Sequence, residues 1–148
     1  MPQSLSKVYI HSIFSTKNGE HIITDEVREE LHAYIIGIIS NLGSYVYEIY
    51  ANPDHIHILF SLPRTVTIAD MISKIKTSSS KWIKLKGITG FSWQNGYGTF
   101  SVSASKIDVV KRYILNQKEH HKKKSFKEEY ITFLKEYRIA YDERYVWD

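Results

Sequence analysis

The sequence predicts an α+β domain: a four-stranded antiparallel sheet of βαββαβ order with two additional C-terminal helices. Three observations carry this. Four short runs are rich in β-branched and aromatic residues. Segments with helical apolar spacing separate the first run from the second and the third from the fourth. After the last run, two more segments open on helix N-terminal signals. With 148 residues the chain can bury a real core in one domain, 1–148, and is too short for two.

The first run, "KVYIHSIFS" (7–15), reads as a strand. Thr24 or Asp25 then caps a helix with an acidic first turn. Val27, Leu31, Tyr34, Ile35, Ile38 and Leu42 form its apolar stripe, and Gly43 stops it. "SYVYEIYA" (44–51) and "HIHILFSL" (55–62) are strands joined by the turn residues "NPD", hence a hairpin. A second helix starts at Thr67 and ends at Gly87, and a glycine-rich loop leads to the short strand "TFSVS" (99–103). Ser105 with Asp108 predicts a capping box for a third helix that continues through "RYILNQKEHH". Ser125 with Glu128 predicts another for a fourth, and the aromatic tail "RIAYDERYVWD" is expected to pack. The order is the ferredoxin-like split βαβ arrangement, in which the first and third strands are central.

Composition removes several classes. There is no Cys, so a disulfide scaffold, a thiolate metal site and a Cys nucleophile are excluded, which fits a cytoplasmic protein. "YIIGII", the longest apolar run, is too short to span a bilayer, so no membrane partner is expected. The net charge of +4 is unevenly spread. Residues 1–63 hold three Lys/Arg against seven Asp/Glu (−4), residues 64–112 nine against two (+7), and residues 113–148 eight against seven (+1). Lys74, Lys76, Lys81, Lys84 and Lys86 lie in the basic middle with Ser, Thr and Trp between them. That mixture suits a phosphate backbone, although a charge run alone is more often a solvated helix face.

"NPDHIHILFSLP" (52–63) holds the sharpest chemical signal. Strand side chains alternate faces, so Ile56, Ile58 and Phe60 share the core face and His55, His57 and Leu59 the other. Two imidazoles about 6–7 Å apart along a strand can converge on one metal ion. A histidine pair on a strand is more often structural, but on a central strand it needs polar partners. The third helix offers them. Tyr113 and Gln117, four residues apart, share a helix face, and His121 lies one turn further along it.

"PDHIHILFSLP", "FSWQNGYGTFSVS" and "VKRYILNQKEHH", in this order and spacing, resemble the single-tyrosine transposases of the HUH superfamily, the small enzymes of IS200-like insertion sequences. The resemblance covers roughly residues 5–135 and implies site roles position by position. Tyr113 would be the nucleophile, and His55, His57 and Gln117 would ligate Mg²⁺ or Mn²⁺, Mn²⁺ being the better match for imidazole. Asp54 and His121 are weaker candidates for orienting a ligand. Lys111, Arg112 or Lys118 would favour the phenolate. The resemblance implies cleavage and rejoining of single-stranded DNA bearing end hairpins, through a covalent 5′-phosphotyrosine that leaves a free 3′-OH. DNA contacts would come from Lys74, Lys76, Lys81, Lys84, Lys86 and Arg112. It also implies a homodimer with shared active sites, and two features of the sequence are compatible with that: "KEHHKKKS" is polar enough for a flexible joint, and "TFSVS" is short and could pair as a sheet edge.

Two other readings compete. An HUH replication initiator or relaxase would more often carry a third His ligand and a longer chain. A non-catalytic nucleic-acid-binding module of the same fold would carry stacking aromatics on its central strands. Tyr9 and His11 on the first strand, with His55 and His57 on the third, match that poorly.

Overall fold

The computed structural model describes residues 2–148. Its strands are β1 (Tyr9–Ser15), β2 (Val46–Ala51), β3 (His55–Ser61) and β4 (Gly98–Val102). They lie in the order β2-β3-β1-β4 with every neighbour antiparallel. The predicted ferredoxin-like arrangement is therefore the observed one, with β1 and β3 central. Helix α1 (Asp25–Asn41) follows β1, and α2 (Ile68–Leu85) follows β3. The Thr67 side chain caps α2 by accepting from the Asp70 amide at 3.0 Å. Gly43 and Gly87, just past the two helix ends, take φ of +85° and +102°, where a side chain would be strained.

Strand alternation divides the apolar residues between two faces. Ile10, Phe14, Ile56, Ile58 and Phe60 pack with Leu31, Ile35 and Ile39 of α1 and Met71, Ile72, Ile75 and Ile83 of α2. The opposite face is covered by the C-terminal third of the chain. Ile13 and Phe100 meet Phe126, Tyr130 and Leu134 of α5 (Phe126–Glu136). Leu59 and Val102 meet Ile114 of α3 (Ile107–Leu115). The sheet is thus enclosed by two helical layers, and the histidine face of β3 looks into the second. The aromatic tail packs as expected: the Trp147 ring lies 5.9 Å from that of Tyr130, and the Gly96 amide donates to the Asp148 carbonyl at 2.8 Å.

The third helix departs from expectation. The Ser105–Asp108 capping box does not form. Ser105 Oγ is 3.2 Å from Ser103 Oγ, and a 3₁₀ turn (Ala104–Lys106) precedes α3, which has no side-chain cap. Nor does the helix run on through the histidines. Asn116, a weak helix former, sits at φ −93°, ψ 14° and separates α3 from a single turn, α4 (Gln117–His120). The capping box at Ser125 and Glu128 is present and starts α5. "KEHHKKKS" is therefore α4 and a structured turn. Strand β4 is a sheet edge, as expected, and the Tyr137 hydroxyl donates to its Ser101 carbonyl at 2.8 Å. Among the described residues no helix is long and apolar enough to cross a membrane.

Gly98 lets α5 approach the sheet. A Cβ there would lie 2.8 Å from the Tyr130 ring and 3.1 Å from Phe100, whereas one at Gly37 in α1 would meet nothing within 4 Å. Gly98→Ala is expected to destabilise by about 1–3 kcal/mol through overpacking. Gly37→Ala is expected to stabilise by up to about 1 kcal/mol through helix propensity. Denaturant midpoints check both; equal shifts in the same direction would remove the close α5 approach.

Candidate active site

His55 and His57 reach the site from β3 and His121 from the end of α4, and each is anchored from behind. The His55 Nδ1–H donates to Asp54 Oδ1 at 2.7 Å. The His121 Nδ1–H donates to the Lys124 carbonyl at 2.7 Å, an arrangement that requires the proton on Nδ1. His57 Nδ1 faces His11 Nε2 at 2.8 Å across the β1–β3 ladder. With the proton on each Nδ1, all three Nε2 atoms turn a lone pair toward the site, the arrangement typical of metal-bound imidazoles, and that of His55 accepts from Asn52 Nδ2 at 3.1 Å. They converge on one carboxylate oxygen: Glu129 Oε1 lies 2.9 Å from His57 Nε2, 3.3 Å from His55 Nε2 and 3.2 Å from His121 Nε2.

This convergence demands positive charge. His55 Nε2 and His121 Nε2 are 3.1 Å apart, with the carboxylate beside both. Two imidazole lone pairs and an anion cannot share a buried volume unless a proton or a cation lies among them. His55, His57, His121 and Glu129 place their ligand atoms within 4.8 Å of one another and could hold a metal ion. Three imidazole nitrogens and one carboxylate oxygen suit Mn²⁺ better than Mg²⁺.

Burial shapes the charge states. It is the largest influence on His57 and pulls its pKa down to about 4, so the ring is neutral near pH 7. His11, also fully buried, is held well below the usual range by burial and by His57. Burial lowers His55 as well, but the hydrogen bonds and charges of Asp54 and Glu129 outweigh it and leave its pKa raised. Burial opposes ionisation of Glu129; the surrounding histidines prevail and hold it well below the usual carboxylate range. Its place in the first turn of α5, at the positive end of the helix dipole, favours the same state.

Tyr113 completes the site. Its hydroxyl donates to Glu129 Oε2 and lies 3.3 Å from His120 Nε2, and its ring centroid is 5.7 Å from that of His57. Burial first, then the Glu129 charge, push the phenol pKa well above its usual value. A cleft of about 660 Å³ reaches Tyr113, His120 and Glu129 from one side. A second of about 660 Å³ reaches Asp54 and His121 and is bordered by Arg28, Lys118, Lys122 and Lys123. Lys124 lines both.

The fold therefore brings Tyr113, His55, His57, Gln117, His121 and Asp54 together within one chain. Gln117 is fully buried at the site. Its Oε1 accepts from Asn52 Nδ2 at 3.1 Å and its Nε2 donates to Glu129 Oε2 at 3.2 Å. The lysines of α2 are not brought to the site, because α2 packs on the other face of the sheet. Lys74, Lys81, Lys84 and Lys86 are exposed there, Lys86 paired with Glu30 at 2.9 Å. Lys76 turns inward and donates to the Gln94, Asn95 and Gly96 carbonyls at 2.8, 3.1 and 2.6 Å; burial lowers its pKa to about 8. Arg112 is exposed on α3. Sequence reasoning missed Glu129, His11, His120 and Asn52 as site residues. His11 had a signal, since alternation on β1 puts it on the face of His57. Glu129 had none, since beside the Ser125–Glu128 box it reads as one more first-turn acid.

The model of the family described as "Transposase IS200 like" matches residues 4–117. The ISDra2 transposase TnpA of Deinococcus radiodurans is 25% identical over 114 residues, covering 72% of this chain and 81% of that protein. Among solved structures, a Deinococcus radiodurans R1 protein described as a transposase superposes with a TM-score of 0.63 at 23% identity, over 79% of this chain and 98% of that one. A REP-associated tyrosine transposase bound to a REP hairpin superposes with a TM-score of 0.59 at 14% identity, over 82% and 74%. Both likenesses are of fold.

The buried neutral histidines give a pH signature. His57 has a folded pKa of about 4, below its ordinary value, so the unfolded chain takes up the proton first as pH falls. His57 therefore costs stability on acidification from about pH 6.5 to 4, by roughly 3 kcal/mol at full burial. His11 acts in the same direction, as do the depressed carboxyls of Glu129 and Asp54 once the pH falls below about 5. The raised pKa of His55 adds stability that is already complete below about pH 6.5, so it gives no slope in this window. Urea unfolding in chelator at the two pH values measures the loss. Equal stability at both would mean that His57 is charged in the fold.

Proposed function

The chain belongs to the IS200-like transposase family, whose model spans most of its length, and is a DNA transposase by that membership; from this premise we propose that it cleaves and rejoins single-stranded DNA through a covalent 5′-phosphotyrosine on Tyr113. One observation carries the reading: a tyrosine hydroxyl rests on the same buried carboxylate at which three anchored histidine Nε2 atoms converge. A bound divalent ion would polarise the scissile phosphate and offset the negative charge of Glu129. His55, His57, His121 and Glu129 have the donor set to hold it. The Tyr113 oxygen attacks phosphorus and gives its proton to water in the cleft, the bond to the 3′ oxygen breaks, and that oxygen takes a proton from water to leave as a 3′-OH. The phosphotyrosine conserves the bond for rejoining, so no nucleotide triphosphate is required.

The strand is expected to lie in the clefts that flank the site, with Lys118, Lys122, Lys123 and Lys124 against phosphates. End hairpins are the proposed partner of the other face, where Lys74, Lys81, Lys84 and Lys86 project, and Arg112 adds charge beside Tyr113. Lys76 leaves this set because three loop carbonyls engage it. Neutralising Lys81 and Lys84 together should reduce the slope of log K against log salt for binding to the duplex stem of a hairpin by about 1.8, at roughly 0.9 per phosphate contact. An unchanged slope would leave this face to solvent.

A homodimer remains part of the proposal, but the shared active sites implied by the resemblance give way to sites built within one chain. Tyr113, the histidines and Glu129 meet within one chain, and α3, which carries Tyr113, is fixed to the sheet by Ile114 against Leu59 and Val102. Incubation with single-stranded DNA carrying an end hairpin, in Mn²⁺, should give an adduct that Tyr113→Phe abolishes while hairpin binding persists. Wild-type adduct yield from the variant, mapped to another tyrosine, would overturn the nucleophile. Mixing Tyr113→Phe with His57→Ala chains should give none, since each site then lacks tyrosine or ligand. Adducts on the His57→Ala chain would restore the shared arrangement.

A further inference from the structure

Glu129 lies beyond residues 4–117, so the family match assigns it no role. Its two oxygens face different groups. Oε1 is surrounded by His55, His57 and His121 Nε2 at 3.3, 2.9 and 3.2 Å. Oε2 accepts from the Tyr113 hydroxyl and from Gln117 Nε2, and lies 3.2 Å from His120 Nε2. At 1% exposure, the carboxylate meets little besides these partners.

Gln117 is oriented against ligation. A metal would need its amide oxygen, and that oxygen is taken by Asn52 Nδ2 while the amide nitrogen faces Glu129. Turning the amide over would set its oxygen against the carboxylate and its NH₂ against the NH₂ of Asn52, losing both hydrogen bonds. The network therefore fixes Gln117 as a donor to Glu129.

We propose that Glu129, not Gln117, gives the divalent ion its protein oxygen ligand, through Oε1, while Oε2 holds Tyr113, so that one carboxylate couples metal binding to the position of the nucleophile. Gln117 is then a positioning residue that orients the carboxylate. The proposal rests on the metal-assisted reading above. Coupling has a direction. The Tyr113 hydrogen bond draws on the same negative charge that attracts the cation, so removing the hydroxyl leaves a stronger ligand. By linkage the effect is reciprocal: the cation loosens the carboxylate's hold on Tyr113.

The test is Mn²⁺ calorimetry on the full chain without DNA, so that no step of strand transfer enters the readout. Glu129→Gln should weaken Mn²⁺ binding by about a hundredfold and Gln117→Ala by about tenfold or less, the cost of a lost orienting contact. Tyr113→Phe should tighten binding several-fold, a fraction of the weight of one hydrogen bond to a charged group, which is about tenfold or more, and should have no effect in the Glu129→Gln background. Melting curves confirm folding. Should Glu129→Gln fail to fold, Glu129→Asp keeps the charge, draws the oxygens back by one methylene, and should also lose affinity. A larger loss from Gln117→Ala than from Glu129→Gln would overturn the ligand assignment, as would a wild-type chain that does not bind Mn²⁺. Tyr113→Phe binding like wild type would overturn the coupling. Wild-type chain that binds Mn²⁺ as described but forms no DNA adduct would instead refute the strand-transfer reading and leave the ligand assignment standing.

Discussion

A single buried carboxylate organises the C-terminal half of this protein. Glu129 is ionised in a place where an isolated charge would be costly, and it is tolerated because four histidines, a glutamine and a tyrosine face it. Removing any one partner would leave part of a buried charge uncompensated. The same constraint makes the site chemically poised, since three imidazole Nε2 atoms packed around an anion form a ready cavity for a cation. Stability and chemistry here draw on one electrostatic arrangement.

The fold meets the demands of that arrangement by layering. Alternation along β3 sends Ile56, Ile58 and Phe60 to the α1–α2 core and His55 and His57 to the opposite face. The antiparallel ladder places His11 diagonally beside His57, where it anchors Nδ1. The second helical layer then closes over the histidines and brings Glu129, His121 and Tyr113 to meet them. The break at Asn116 matters for this closure. It ends α3 after Tyr113 and starts a separate turn, so that Gln117, His120 and His121 reach the carboxylate while the chain redirects toward α5. Gly98 contributes by admitting the Tyr130 ring against β4.

Much of this was legible in the sequence, for physical reasons. Period-two alternation in "HIHILF" separates ligand face from core face without knowledge of the rest, and "NPD" marks the hairpin that makes β3 central. Tyr113 and Gln117 appear as a pair because helical spacing stacks them. Three features were hidden. The helix break falls at Asn116, a weak helix former set inside an otherwise continuous helical pattern. The orientation of Gln117 depends on Asn52, sixty-five residues away. The role of Glu129 depends on long-range packing of α5, and its neighbour Glu128 carries the local capping signal instead. Local rules recover elements and faces; they do not report which acid of an adjacent pair points inward.

The central claim is that a cation sits among His55, His57, His121 and Glu129, with Gln117 orienting the carboxylate from outside. Anomalous diffraction from crystals grown with Mn²⁺ tests it most directly. The account predicts one strong peak within ligand distance, about 2.0–2.3 Å, of the three Nε2 atoms and Glu129 Oε1. Gln117 Oε1 should remain on Asn52. A peak bound by His55, His57 and Gln117 Oε1, with Glu129 turned away, would contradict it.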